Sequence, residues 1–397
     1  MIFLGPLFPK EQEEEILKKS RSGISNAANQ FQWKLIDGLT AQLGRNMHVV
    51  NVLPVGTYPR HYRELLLRNR KWKIGDADCY EIGCLNLPLL KQLMRTVRLR
   101  RYLKNIDPRE SILICTAYLP FLWAVHFLPA SVQVTAIITD LPEYYDMHQV
   151  SVMRELLRKL HTRLVYRYMS RVDRFVLLTE QMALPLKVGR RPYIVMEGIC
   201  SPAAQPQVQP THRHPGKVLM YTGRLNRRYG LADLLEAFSG MDMASLQLWI
   251  CGSGEMENEV RAAAQSDRRI RFFGFQPHSE VIKLQKQASL LVNPRTSQGE
   301  YTKYSFPSKT IEYMASGVPV VMYKLPGIPD EYDPYLIYVS GTGPDALRDT
   351  LYWALEMPPA GLERLGAEAS RFVCTRKNAE KQAERILEFM RGGSDCG

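Results

Sequence analysis

Apolar residues along this chain fall into short continuous runs, separated by longer stretches in which they recur every three or four positions. The first pattern marks buried strands and the second amphipathic helices. In the first half, residues 1–4 and 47–53 read as strands, with a helix over 29–43 that carries Phe31, Leu35, Leu39 and Leu43 on one face. Residues 111–139 hold no charged side chain, a length that could span a bilayer. Pro120, His126, Pro129 and Gln133 interrupt that stretch. It divides better into two buried parallel strands, 111–117 and 132–139, around a short helix. In the second half, strands are expected at 217–222, 246–251, 269–274, 288–292, 318–323 and 335–339, with a helix at 231–238. This alternation, on both sides of a Pro- and Gln-rich stretch, predicts two doubly wound α/β domains with parallel sheets. The expected domains are 1–199 and 217–376, joined by a linker at 200–216. A final helical segment, 377–392, carries Ala379, Ala383, Ile386, Leu387 and Met390 on one side. It either closes the second domain or reaches back to pack on the first.

At 397 residues the chain exceeds what a single core accommodates. Hydrophobic residues at 45% and charged residues at 23% are the balance of a soluble globular protein and exclude general disorder. Seven scattered cysteines without a C-x-x-C pair give no sign of a zinc site or a dithiol redox centre, and suit reduced thiols in the cytoplasm. The N-terminus turns acidic before any long apolar run, so no signal peptide is expected. The formal net charge of +12 changes the picture more. Residues 1–200 hold 29 Lys and Arg against 18 Asp and Glu, whereas residues 201–397 hold 23 against 22. The excess is densest at 68–73, 95–104 and 154–174, the last with Arg154, Arg158, Lys159, Arg163 and Arg167 among Leu, Val and Tyr. A basic amphipathic face of this kind attracts an anionic membrane surface. The plainer alternative is a solvated helix face that aids solubility. No nucleic-acid motif accompanies the charge, so a nucleic-acid partner is not expected.

Three segments of the second half pair a strand with a Gly or Pro turn and a helix start. Tyr221-Thr222-Gly223-Arg224-Leu225 is followed by Asn226, Arg227, Arg228, Tyr229 and Gly230. Free amides, a helix dipole and arginines there form a phosphate site. Ile250-Cys251-Gly252-Ser253-Gly254-Glu255 lets the backbone approach a ligand, or is simply a tight turn with Glu255 in the first helical turn. In the third, residues 304–321, Pro307 and Ser308 suit a helix start and Gly317 its stop. That helix offers amides and Lys309 to an anion, and places Glu312 about one turn away, where a carboxylate can accept two hydroxyl hydrogen bonds. The bland reading of Glu312 is a solvent-facing helix residue.

These segments, with Arg271-Phe272-Phe273-Gly274-Phe275, Asn293-Pro294 and above all the run from Ile311 to Val321, resemble the donor domain of the GT-B glycosyltransferases, in particular the large retaining group 1 (family 4) type. The variant from Lys303 to Gly317 is similar to enzymes of bacterial exopolysaccharide, capsule or lipid-linked glycan assembly. Ile138 to Pro142, Leu177 to Glu180 and Met196 to Ile199 resemble the same subset more loosely. The resemblance implies two Rossmann-like domains facing a cleft. It implies a UDP- or GDP-sugar donor, a lipid-linked glycan acceptor and a place on the inner face of the cytoplasmic membrane. It implies that Glu312 binds the donor ribose, while Arg224, with Arg227 or Arg228, binds the diphosphate at the Gly223 turn. Residues Tyr304, Ser305, Phe306, Pro307, Ser308 and Lys309 would surround the sugar and diphosphate, the amides of 305–308 making the contacts. Gly252 would lie beside the donor, Gly274, Phe275 and Gln276 near the base, and Asp140 would face the acceptor.

Three positions depart from the family pattern: Tyr304 stands where a second glutamate is usual, Tyr229 where a lysine is usual, and Thr139 precedes Asp140 where a histidine is usual. They leave room for a non-catalytic, scaffolding relative, and a sugar-nucleotide 2-epimerase on the same fold is a further alternative. Asp76-Ala77-Asp78 matches a metal-binding D-x-D, but it reads as a coincidence in a basic loop, so no metal or other cofactor is expected. The leaving diphosphate would then be stabilised by Arg, Lys and helix amides.

Overall fold

The computed structural model describes residues 1–21, 26–144, 152–200, 214 and 216–392. The linker expected at 200–216 falls almost wholly outside the described residues, as do Cys396 and the side chain of Arg154. The chain forms two compact units, Met1–Glu197 with Ala379–Gly397, and Gly198–Asn378.

In the first unit the strands are β1 Ile2–Gly5, β2 His48–Asn51, β3 Leu66–Leu67, β4 Arg70–Ile74, β5 Ala77–Glu81, β6 Cys84–Leu85, β7 Ser111–Cys115, β8 Gln133–Ile138, β9 Arg174–Leu177 and β10 Tyr193–Val195. The helices are α1 Glu13–Lys19, α2 Asn26–Leu43, α3 Leu90–Leu103, α4 Leu119–His126 and α5 Val152–Met169. Eight strands form one sheet in the order β10-β9-β8-β7-β1-β2-β5-β4, and β3 pairs separately with β6. Its central strands are apolar along their length because helices cover both faces: Phe3, Leu4, Val49, Val50, Ile112, Leu113, Ile114, Ala136 and Ile137 are all buried. The uncharged stretch from 111 to 139 becomes β7, α4 and β8. Among the described residues no helix is long and apolar enough to cross a membrane.

Two expectations about charge need correction. Asp76-Ala77-Asp78 is not in a loop: it spans the turn and second strand of the antiparallel β4–β5 hairpin, where Asp78 lies opposite Lys73 at 3.8 Å. The exposed Arg70, Lys71 and Lys73 make β4 a charged sheet edge, which discourages pairing with another chain. The basic run at 95–104 is not wholly a solvated face either. Arg95, and Lys91 one turn before it, are buried on α3. Arg95 donates to the carbonyl of Leu53 at 2.6 Å and to the Tyr118 hydroxyl at 2.9 Å, and Lys91 donates to the carbonyl of Val55. The Leu53 carbonyl also accepts from the Val55 amide at 2.9 Å, so Arg95 is its second donor, while Lys91 serves the Val55 carbonyl. On α5, by contrast, Leu156, Leu157 and Leu160 are each more than half exposed, beside exposed Lys159 and Arg163.

The second unit contains β11 Val218–Arg224, β12 Gln247–Ser253, β13 Ile270–Gly274, β14 Leu290–Asn293, β15 Val320–Met322 and β16 Ile337–Tyr338. Its helices are α6 Leu231–Ser239, α7 Glu257–Ser266, α8 His278–Gln287, α9 Ser308–Ala315, α10 Gly343–Glu356 and α11 Pro359–Arg376. All six strands are parallel, in the order β13-β12-β11-β14-β15-β16. Chain order reverses between β11 and β14, the kind of switch point at which open α/β sheets bind ligands beyond the carboxyl ends of their strands. β11 pairs with β12 as far as Arg224 but with β14 only at Leu219 and Met220. The two central strands therefore part beyond Met220, at the end where such sheets carry their ligand crevice.

The closing helix, α12 Ala379–Met390, belongs to the first unit and packs on α2. A Cβ added at Gly38 would lie 2.1 Å from the carbonyl oxygen of Ala379, and Gln42 Nε2 donates to the carbonyl of Glu380 at 2.7 Å. Ala383, Ile386 and Leu387 are buried in this contact layer.

Candidate active site

The crevice of the second unit is built around α9. Pro307 opens the helix and Gly317, at φ 78°, ends it before β15. Pro307 makes no side-chain cap and its carbonyl takes the Thr310 amide at 2.8 Å, so among the described residues the amides left open to a ligand are those of Ser308 and Lys309. Thr310, Ile311, Tyr313, Met314 and Ala315 bury its inner side. Tyr313 fixes the helix against the sheet: its hydroxyl accepts from the Thr222 amide at 2.8 Å and donates to the Thr222 carbonyl at 2.9 Å. Thr222 lies beyond the last β14 pair, so the phenol replaces a missing strand partner. Burial pushes the Tyr313 pKa well up, which keeps the hydroxyl protonated for donation.

Glu312, one helical turn into α9, is not a solvent-facing residue. Its Oε1 accepts from Gln285 Nε2 at 2.9 Å and from Lys309 Nζ at 2.9 Å, and its Oε2 accepts from Lys309 at 3.1 Å. Gln285 is buried on α8 and also donates to Thr222 Oγ1 at 3.2 Å, so the carboxylate is tied to β11 through Gln285. Burial acts to raise the pKa of Glu312, but the Lys309 charge and the hydrogen bonds from Lys309 and Gln285 outweigh it and leave the pKa lowered. His278, at the start of α8, adds a weaker pull in the same direction. Lys309, expected to meet an anion directly, is instead turned onto Glu312. Sequence reasoning missed Gln285. Its signal was a polar residue four positions after Val281 on the buried stripe of α8.

The two glycine turns press together. A Cβ at Gly252, where φ is 146°, would stand 1.8 Å from the Gly223 carbonyl oxygen. Backbone packing against the Gly223 turn thus explains the glycine at 252 without a ligand. Arg224 and Arg228 are exposed, and among the described residues neither guanidinium pairs with a carboxylate. Arg227 differs: its guanidinium pairs with Glu259 on α7 at 3.3 Å, and its amide donates to Glu255. At the end of β13, Gly274 turns the chain, Gln276 donates to the Phe273 carbonyl at 2.6 Å, and Phe275 stands exposed. In the approach to α9, Tyr304 ends a short 3-10 turn, and Ser305 Oγ accepts from Arg295 at 2.8 Å. The Phe306 ring is buried against Tyr332, so only its backbone is available to a ligand. Glu312, Lys309, Ser305, Ser308, Gly223 and Arg224 thus share one end of one sheet. Asp140 lies at the carboxyl end of β8 in the first unit; desolvation raises its pKa even though the residue reaches solvent, and a hydrogen bond from Thr139 opposes the shift.

A carboxylate held for hydroxyls, beside unpaired arginines and open helix amides, can bind a ligand with a diol at one end and phosphate at the other. Residues 216–357 match the family described as Glycosyl transferases group 1. A comparison with the sequences of characterised proteins gave no match. Solved structures of similar fold include sucrose-phosphate synthase from Thermosynechococcus elongatus, at 15% identity and a TM-score of 0.66, covering 99% of each chain. HepE from Anabaena in complex with UDP aligns at 14% identity and a TM-score of 0.64, again over 99% of each chain. The apo form of the lipopolysaccharide outer core galactosyltransferase WaaB aligns at 13% identity and 0.63 over the same share. At such identities the likeness is one of fold.

Proposed function

We propose that this chain, a GT-B glycosyltransferase with a group 1 donor domain, moves a sugar from a UDP- or GDP-sugar to a hydroxyl of a lipid-linked glycan, with retention of configuration. One observation carries the reading: at the switch point of the second unit, a held carboxylate and an unpaired arginine meet at the open end of α9. Glu312 is the group suited to a ribose diol, since its oxygens can accept both hydroxyls once Lys309 is displaced. Arg224 and the amides at Ser308 and Lys309 suit the diphosphate, and Lys309 can pass from Glu312 to a phosphoryl oxygen as the diol arrives. Phe275, exposed at the end of β13, offers a ring face to the base. Charge developing on the departing diphosphate is met by these fixed donors in place of a metal. A chelator should therefore leave turnover unchanged; its loss, restored by a divalent cation, would remove the metal-free part of the reading.

Support for the acceptor comes from the first unit. Its charge excess, and the exposed Leu156, Leu157 and Leu160 next to Lys159 and Arg163, suit an anionic membrane surface on the cytoplasmic side. WaaB, of the same fold, is a lipopolysaccharide galactosyltransferase, in keeping with such an acceptor. Asp140 is the acceptor-side carboxylate of this reading. The test is nucleoside diphosphate release from a panel of UDP- and GDP-sugars, with polyprenyl-linked saccharides in phosphatidylglycerol vesicles and the anomeric configuration of the product read by NMR. The reading expects acceptor-dependent release with one donor, and a fall of roughly tenfold or more in Arg224→Ala. Equal turnover in Arg224→Ala, or an inverted product, would count against the site and the stereochemistry respectively.

A further inference from the structure

The geometry points to Arg295 as a second diphosphate-binding cation, facing Arg224 across the switch-point crevice. This assignment rests on the donor-site reading above and adds a residue that the motif resemblance does not supply. Arg295 follows β14 by two residues, and Arg224 ends β11. These are the two neighbouring strands at which chain order reverses, so the loops that follow them flank the crevice.

Three contacts fix the side chain there. Its Nη2 donates to Ser305 Oγ at 2.8 Å, within the approach to α9. Its guanidinium lies over the Tyr229 ring at 5.7 Å and over the Tyr301 ring at 5.3 Å. The backbone supports the same placement, because a Cβ at Gly230 would stand 1.9 Å from the carbonyl oxygen of Pro294. The turn after Arg224 and the turn before Arg295 are therefore packed against each other.

Arg295 is also electrically unfinished. Among the described residues it pairs with no carboxylate, and its Nε is buried without a hydrogen-bond partner. A guanidinium carries five N–H donors in a rigid fork, and only one bond to a hydroxyl is met here. A half-buried guanidinium held by two rings and one serine, with its Nε shut off from any partner, gains most from an anion that supplies the missing acceptors. Phosphoryl oxygens have the charge and planar spacing to do so bidentately. The contact with Tyr229 also gives meaning to a departure in the sequence. The lysine usual in the family at 229 is replaced by a ring that carries the Arg295 charge above it.

The experiment compares wild type with Arg295→Gln, Arg295→Lys and the double variant Arg295→Gln/Tyr229→Lys, titrated calorimetrically with UDP and GDP and with uridine and guanosine. We expect Arg295→Gln to lose affinity for the nucleoside diphosphate by roughly tenfold or more and to keep affinity for the nucleoside. Arg295→Lys should lose less, and the added lysine at 229 should recover part of the loss. Thermal unfolding of each ligand-free variant separates a phosphate contact from a merely structural one. If Arg224→Ala weakens diphosphate binding while Arg295→Gln binds as wild type, this inference fails and the donor site stands. If wild type binds neither nucleotide, the donor-site reading fails first.

Discussion

Single side chains and their partners determine the chemistry of the second unit more closely than the motifs that contain them. Glu312 illustrates the point: the family-like run around it suggests a ribose ligand, but only Gln285 and Lys309 show how a largely buried carboxylate stays charged and oriented. Lys91 shows the reverse case, a cation that burial disfavours. Desolvation, with the nearby Arg95 charge, pushes its pKa down from 10.5 to about 7. Between those two values the unfolded chain binds a proton that the folded chain has released, so this group makes stability rise with pH across that window. Lys91→Met should flatten that part of the stability–pH curve, measured by urea unfolding at steps from pH 7 to pH 10. An unchanged slope would mean that Lys91 is fully charged in the folded chain.

At the scale of elements, α9 is positioned less by its own sequence than by Tyr313 reaching β11. Replacing Tyr313 with Phe leaves the Thr222 amide and carbonyl without that partner in a buried place, which should cost about 1–3 kcal/mol. Chemical denaturation would show it as a lowered midpoint with an unchanged slope. Donor affinity should fall too, because the helix that holds Glu312 loses its tie to the sheet. β1, β2, β7 and β8, the six strands of the second unit and α9 were legible from the sequence because a parallel strand covered on both faces is a continuous apolar run, and because proline and glycine punctuate the helix, whereas the short β9 and β10 were not expected. The β4–β5 hairpin was not legible: four of the five residues of β4 are charged or aromatic, and such a sheet edge lacks the apolar signature of an interior strand. Nor were Lys91 and Arg95, since a basic cluster reads as solvent-facing until the carbonyls they satisfy are known. Gln285 and Arg295 share that limit, for their partners come from α9 and from the turns beside β11. Of the Arg candidates, the sequence could not tell that Arg227 is engaged by Glu259 while Arg224 and Arg228 are not.

At the scale of the whole molecule, the chain leaves the first unit after Glu197 and returns to it at Ala379. The last helix is thus structural to the first unit although it lies last in sequence, an arrangement that its apolar stripe alone left open between two hosts. Gly38 is where α12 comes closest, so Gly38→Ala should push the Ala379 backbone away and lower stability by about 1–3 kcal/mol. Thermal unfolding without ligand should register this, and diphosphate affinity at the second unit should stay unchanged. A matching loss of affinity would show that the two effects are not separable. The surface of α5 makes a claim at the same scale: Leu156→Glu with Leu160→Glu should abolish co-flotation with phosphatidylglycerol vesicles, and retained flotation would remove α5 from the membrane reading.

Binding of a nucleoside diphosphate between β11 and β14, with Glu312 on the ribose, is the proposal on which the others depend. It is tested most directly by calorimetric titration of UDP and GDP into wild type and Glu312→Gln, which keeps the size of the side chain and removes its charge. Wild type should bind one of the two nucleotides saturably, and the variant should lose affinity for it by at least roughly tenfold. Equal affinity in both proteins, or no heat from either nucleotide, would contradict it.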